Sequence, residues 1–278
     1  MRTKPPTKKH LPPVTLAAAH LNDDRRTRLY QTMATALAGT VSDEELDIHF
    51  ALMPMRYWTH VNSHTLQRHL EIIHAFLTSL HATDSDATQP VVRWHHFPKR
   101  GLTEVEVCTW DRLGLLAKVA GAFARVGLNI ARADIHTRGD DIVLDIFEVT
   151  EPGDGSVRDE SRLHEMARIL TAALRPHSTE RLGPVAPPLP GNPPQITVKA
   201  DGPEPHTVLE VEADDRVGLL YRLFTALTSS DINVVHAIVT TEAGRTGDIF
   251  YLADSDGNKI TAPARLEEIR QRVLASLT

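Results

Sequence analysis

The sequence predicts an α+β protein in which one small sheet-and-helix unit occurs twice. Asp111-Arg112-Leu113-Gly114-Leu115-Leu116 returns as Asp215-Arg216-Val217-Gly218-Leu219-Leu220. An alternating run precedes each copy, Val105-Glu106-Val107-Cys108-Thr109 and Leu209-Glu210-Val211-Glu212-Ala213, with the period of a half-buried strand that has one wet face. A helical stripe follows each, Leu116, Val119, Ala120 and Phe123 matching Leu220, Leu223, Phe224 and Leu227. A repeat at this separation means two copies of a domain and not a solenoid, because each unit is long enough to bury its own core.

Taken in order, residues 1–15 read as a disordered tail, since Met1 to Pro13 mixes four basic residues with four prolines and cannot collapse by itself. A basic nucleic-acid arm is the sharper alternative, but the charges lack interleaved aromatics. Residues 16–88 read as a helical segment. Leu29, Met33, Ala36 and Leu37 form a stripe within Leu16 to Ala38 that Gly39 ends. Ser42 with Glu45 forms a capping box, and Pro54 bounds the short helix after it. Asn62 or Ser63 caps a third helix with Leu66, Leu70, Ile73, Leu77 and Leu80 on one face. Too small for a catalytic domain, these helices are expected to cap the first repeat or a second subunit. Their histidines, His49, His60, His64, His69, His74 and His81, do not converge with a carboxylate, so surface positions are expected and no metal site.

Each repeat continues alike. The first helix stops at Gly127 or Asp231, a second strand begins at Asn129-Ile130 or Asn233-Val234, and a third carries Asp145-Ile146-Phe147 or Asp248-Ile249-Phe250. A last helix follows, about Arg158 to Leu174 or Pro263 to Leu277. That order makes an antiparallel sheet with two helices on one face, short of one edge strand. Val91 to Phe97 and Gln195 to Lys199, each joined by a turn to the next strand, are expected to fill that edge as hairpin partners. The result is a circularly permuted ferredoxin-like sheet spanning 89–183 and again 195–278, with a proline-rich linker at 184–194. If helices cover the face bearing Ala237 and Val239, then Val234 and Ile238 lie on the outer face and should pack against another such unit.

Composition fits a soluble globular protein: 278 residues, 41% hydrophobic, 24% charged, net charge -6. That balance does not invite nucleic acid. No apolar run has the length of a membrane span, and no signal-peptide core is present, so no membrane role is expected. The single cysteine, Cys108, cannot form an internal disulfide and suits a reducing cytoplasm; it reads as an unreactive thiol on the outer sheet face.

The repeated turn is where chemistry is expected. A strand entering a helix through Gly leaves backbone N–H groups free at the helix start, which suit a carboxylate. Gly114 and Gly218 let a ligand approach, Asp111 and Asp215 can cap the helix or meet an ammonium group, and Asn129 and Asn233 offer amides. A purely structural reading of the same residues, helix capping and close packing, stays open. No glycine-rich phosphate loop is present.

The Asp-Arg-x-Gly-Leu-Leu turn, the Gly127-Leu128-Asn129-Ile130 and Asp231-Ile232-Asn233-Val234 exits and the Asp-Ile-Phe strand resemble ACT domains. From about Val91 onward the pair is similar to the tandem ACT domains ending the PII uridylyltransferase/uridylyl-removing enzymes, bacterial nitrogen sensors that respond to glutamine. Thr207-Val208-Leu209-Glu210-Val211 and Gly218-Leu219-Leu220-Tyr221 are the most specific part, and Met53-Pro54-Met55-Arg56-Tyr57-Trp58 looks like the segment entering the pair. The resemblance implies amino-acid binding at Asp111, Arg112, Gly114, Leu115, Leu116, Asn129 and Ile130 in the first repeat. In the second it implies Asp215, Arg216, Gly218, Leu219, Leu220, Asn233 and Val234. The family's usual proline after Asp-Arg is Leu113 and Val217 here, so the turns are less pre-organised.

The resembled enzymes carry catalytic parts marked by a Gly-Ser turn with paired acids and by a His-Asp dipeptide. The dipeptide is absent, and Gly155-Ser156 falls between the third strand and the last helix of the first repeat, where its counterpart Asp254-Ser255-Asp256-Gly257-Asn258 is a turn. The expectation is a non-catalytic sensor without cofactor, binding an amino acid with glutamine foremost, acting on a regulated protein partner and forming a homo-oligomer. The alternatives are the regulatory portion of such an enzyme and a scaffold that only oligomerises.

Overall fold

The computed structural model describes residues 24–82, 89–151, 155–174, 182, 191–242 and 244–278. The expected tail and most of the proline-rich linker lie outside them. The chain divides into two compact units between Leu70 and Glu71.

The first unit holds α1 (Asp24–Ala36), α2 (Asp43–Leu52), α3 (Tyr57–His60) and the start of α4 (Ser63–Ala82). Gly39, at φ 82°, turns the chain after α1 as expected. The capping box is present: Glu45 N–H donates to Ser42 Oγ at 3.2 Å and Ser42 N–H to Glu45 Oε2 at 2.9 Å. Thr65 N–H donates to Asn62 Oδ1 at 3.0 Å, so Asn62 caps α4. The expectation of surface histidines fails at two positions. His49 is fully buried among the rings of Phe50, Tyr57 and Trp58, and His69 is buried with Nδ1 2.9 Å from the Tyr57 hydroxyl. A neutral imidazole packs edge-on against aromatic rings as readily as it faces water.

The second unit adds β1 (Val91–Phe97), β2 (Leu102–Trp110), α5 (Leu115–Arg125), β3 (Asn129–Thr137), β4 (Ile142–Thr150) and α6 (Glu160–Ala173). The second repeat supplies β5 (Gln195–Lys199), β6 (Thr207–Asp214), α7 (Leu219–Thr228), β7 (Asn233–Glu242), β8 (Arg245–Ala253) and α8 (Pro263–Leu277). Both leading strands pair antiparallel with the strand that follows, Val91 opposite Cys108 and Gln195 opposite Glu212, so each fills the vacant edge. The sheet is one of eight strands in the order β1-β2-β4-β3-β7-β8-β6-β5. That order reads the same from either end, with a pseudo-two-fold axis between β3 and β7.

The join between repeats differs from the expected face-to-face contact. Asp134 stands opposite Ile238 and Arg132 opposite Thr240, antiparallel, so the repeats meet edge to edge. Each repeat alone leaves its second strand as an open edge, and pairing the two satisfies both rows of backbone groups. The face assignment of Val234 is also corrected. A bulge between Val234 and His236 reverses the alternation, so Val234 opposite Leu252 and Ala237 opposite Phe250 share the helix-covered face, while Ile238 is on the other. Ile130 and Ala133 in β3 are related by the same irregularity.

One apolar core runs under the helices of both repeats. Phe123 meets Phe147 at 5.4 Å between centroids and Phe224 meets Phe250 edge-on at 5.6 Å, the same contact made twice. Burying each ring contributes roughly 1.5–3 kcal/mol. β6 alternates as a half-wet strand should, but β2 does not, because Glu106 and Cys108 on its outer face are fully buried. At this edge the later turns of α4 lie on the outer face, where Phe76 packs on Trp110 at 5.5 Å and Arg93 reaches the Glu71 carbonyl. Burial drives the Cys108 thiol well above its ordinary range, which leaves it unreactive.

Candidate functional site

Each repeat's first helix starts at a glycine that only glycine suits. Gly114 has φ 81° and Gly218 has φ 88°, left-handed values for which an L side chain is strained. The N-cap position of each helix is the glycine itself, three residues after Asp111 or Asp215. The backbones of those two acids are tethered to the hairpin beyond, Asp111 N–H donating to the Asp141 carbonyl at 2.8 Å and Asp215 N–H to the Gly244 carbonyl at 2.9 Å. The arginines beside them turn away from the helix start. Arg112 Nη1 donates to the Leu174 carbonyl and Arg216 Nη2 to Leu277, each at 2.8 Å, at the end of its repeat's last helix. Lys118 joins Arg112 there by donating to the Ala173 carbonyl.

The repeated helices lie side by side and antiparallel. Gly114, at the start of α5, faces Thr228 at the end of α7, and Gly121 further along α5 faces Tyr221 near the start of α7. This places the turn of one repeat next to the helix exit of the other. The first cleft, about 390 Å³ including its open mouth, is lined by Asp111, Arg112, Gly114, Leu115 and Leu116 from repeat one and by Asn233 and Val234 from repeat two. The second, about 240 Å³, is lined by Asp215, Arg216, Gly218, Leu219 and Leu220 together with Asn129 and Ile130. All fourteen expected residues therefore lie in clefts, but each cleft is shared, where the sequence reading had assigned turn and exit of one repeat to one site.

The clefts are not alike. In the second, Asn129 Nδ2 donates to Asp215 Oδ2 at 2.7 Å and draws these two side chains together. In the first, burial pushes the Asp111 carboxyl above its usual range, with the Arg112 backbone N–H opposing and the Asp141 charge adding to the shift. Ile135, Thr137, Val143 and Asp145, none of them singled out from the sequence as ligand residues, also line it. Asp145 had been visible only as the start of an Asp-Ile-Phe strand; an acid among inward-facing apolar positions was the available signal. Among the described residues no group of His, Cys, Asp and Glu is placed to hold a metal ion, and no helix is long and apolar enough to cross a membrane.

The ACT domain family model matches residues 103–160 and 207–273, the two repeats. The chain carries two ACT domains. It is homologous to the C-terminal region of bacterial bifunctional uridylyltransferase/uridylyl-removing enzymes. The relative from Gluconobacter oxydans is 32% identical over 94% of this chain and 28% of its own length. That from Rhodospirillum rubrum is 33% identical and that from Azospirillum brasilense 30%, covering 94% and 92% of this chain. The chain thus spans 28% of the length of these relatives.

Proposed function

We propose that this chain is a non-catalytic regulatory module, with ACT domains at 89–183 and 195–278, that senses a free amino acid, glutamine foremost, and passes its state to a protein partner. The observation that supports this best is the joint construction of the clefts. Each takes a helix-start turn from one ACT domain and an asparagine from the other, so a ligand that fills a cleft ties the two domains together. Such a ligand binds the docked arrangement better than any other and shifts the population toward it. A helix start such as that of α5 suits a carboxylate, and the acid of the turn suits an ammonium group. The two ACT-domain matches, with the homology to the uridylyltransferase relatives, support a regulatory role of this kind.

A second reading is that this chain acts as the regulatory portion of a uridylyltransferase-like enzyme, which its 28% span of those relatives favours. Thermal melting with each of the twenty amino acids at millimolar concentration tests the sensor reading. Glutamine should raise the midpoint, and a chain unmoved by every amino acid would leave only an oligomerising scaffold.

A further inference from the structure

We propose that the first cleft is the chain's single effector site and that Asp145 on its wall is the specificity-determining residue that receives the ligand's ammonium group. This rests on the amino-acid reading above and adds which cleft, which side chain and how many ligands.

Two acidic positions that the fold makes equivalent differ in their surroundings. Asp145 in β4 stands between Val107 and Ile135, and Asp248 in β8 has Val211 across from it; both point into the helix-covered face and both are buried. A buried carboxylate needs donors. Asp248 has them within its own repeat for one oxygen: the Thr246 hydroxyl and the Thr240 N–H both donate to Oδ1, and Oδ2 alone is left without a partner. In repeat one the residue two before the acid is Val143, which keeps the branched shape of Thr246 and lacks its hydroxyl. The His136 backbone N–H partly offsets the burial, yet neither Asp145 oxygen has a partner at hydrogen-bond geometry.

That unmet carboxylate lines the first cleft, with Asp111 and Thr137 beside it, while the cation of the lining, Arg112, is turned to the Leu174 carbonyl. A group with several N–H donors and a positive charge completes Asp145, and an ammonium is such a group. The same molecule's carboxylate then has the N–H groups at the start of α5. A carboxylic acid without the amine leaves Asp145 buried and unpaired, and this penalty is the source of selectivity. The second cleft offers no counterpart. Asp248 is absent from its lining and is met at Oδ1 by Thr246, and Asn129 and Asp215, both in the lining, already pair with each other.

Calorimetry on the full chain tests this with L-glutamine, then the other proteinogenic amino acids singly, and finally the 2-hydroxy acid analogue of whichever binds. One equivalent per chain is expected. Asp145→Asn should weaken binding by about tenfold or more, while Asp248→Asn leaves it within about twofold. Val143→Thr keeps Asp145 and supplies the missing hydroxyl from within, so it should also weaken binding; melting curves of each variant confirm folding. The hydroxy acid should bind the native chain at least about tenfold more weakly, a gap that closes in Asp145→Asn. Unchanged affinity in Asp145→Asn and Val143→Thr, or two equivalents per chain, overturns the assignment while leaving the amino-acid reading intact. If no amino acid binds the native chain, that reading falls and this one with it.

Discussion

Asn129 Nδ2 donates to Asp215 Oδ2 across 2.7 Å, so the first side chain of β3 in one ACT domain holds the acid of the helix-start turn in the other. The mirror pair, Asn233 and Asp111, lines the first cleft without that bond. The pseudo-two-fold arrangement is thus broken where a ligand would enter.

Asn129→Ala is expected to lower stability by roughly 1–2 kcal/mol, because a partly buried charge-assisted bond between domains is lost. Asn129→Asp should cost more, since it sets two carboxylates against each other at that distance. Urea titration with an unchanged slope would register both. A midpoint that does not move for Asn129→Ala would mean that the bond adds nothing to the docking of the two domains.

Most of the architecture was legible because it rests on local patterns. The repeated hexapeptide, the 3.6-residue stripe from Leu116 to Phe123 and the hairpin turn before Leu102 each specify their own element. The clefts were legible only as residue types. Nothing near Asn129 in sequence says that it faces Asp215, since that follows from edge pairing of β3 with β7, a long-range choice between open edges. The bulge after Val234 was hidden for a related reason, because a strict alternation of two assigns Val234 and Ile238 to one face. The buried outer face at Glu106 and Cys108 was misread because alternation shows chemical type and not what covers it.

Gly114 gives a backbone test. A Cβ there would be 3.0 Å from Thr228 Cγ2, on top of the strain of φ 81°. Gly114→Ala should destabilise by about 1–2 kcal/mol. Thr228→Ser removes the contacting methyl but not the φ strain, so it should restore only part of the loss. Full recovery in the double variant, measured by urea titration, would show that the contact alone makes glycine necessary. The strain also means that lost binding in a Gly114→Val chain would not by itself locate a ligand.

Asp248 predicts a pH dependence. Burial, partly offset by the Thr246 hydroxyl and the Thr240 N–H, raises its carboxyl from 3.8 to about 7. The folded state therefore holds this proton more tightly than the unfolded chain. The resulting stability is fully present below about pH 4 and is lost as pH rises toward 7. Relative to native protein, Asp248→Asn should thus gain stability across that window, by up to roughly 3–4 kcal/mol at its upper end. Melting curves at pH 4.5 and 7.5 check the sign: a native-minus-variant difference that is flat with pH would mean that Asp248 titrates near its ordinary value.

The seam between the two domains turns on Gly121, where α5 passes α7. A Cβ at this position would meet Tyr221 Cε2 at 2.8 Å and Leu182 Cδ1 at 2.9 Å, and the Tyr221 ring is held because its hydroxyl donates to the Leu182 carbonyl. Two effects oppose each other in Gly121→Ala. Helix propensity favours alanine by about 0.5–1 kcal/mol, whereas forcing a methyl into a filled contact costs typically 1–3 kcal/mol. The tethered ring cannot swing aside freely, so the clash should win and the variant should be net destabilised by about 1 kcal/mol. In a Tyr221→Ala background the ring is gone and only the end of the Leu182 side chain remains to yield. The same substitution should then reverse sign and stabilise, by about the propensity difference. A double-mutant cycle by urea titration reads this directly, with a coupling of about 1–2 kcal/mol expected between positions on different ACT domains. Additive effects would show that α5 and α7 are not in close contact at Gly121 in solution.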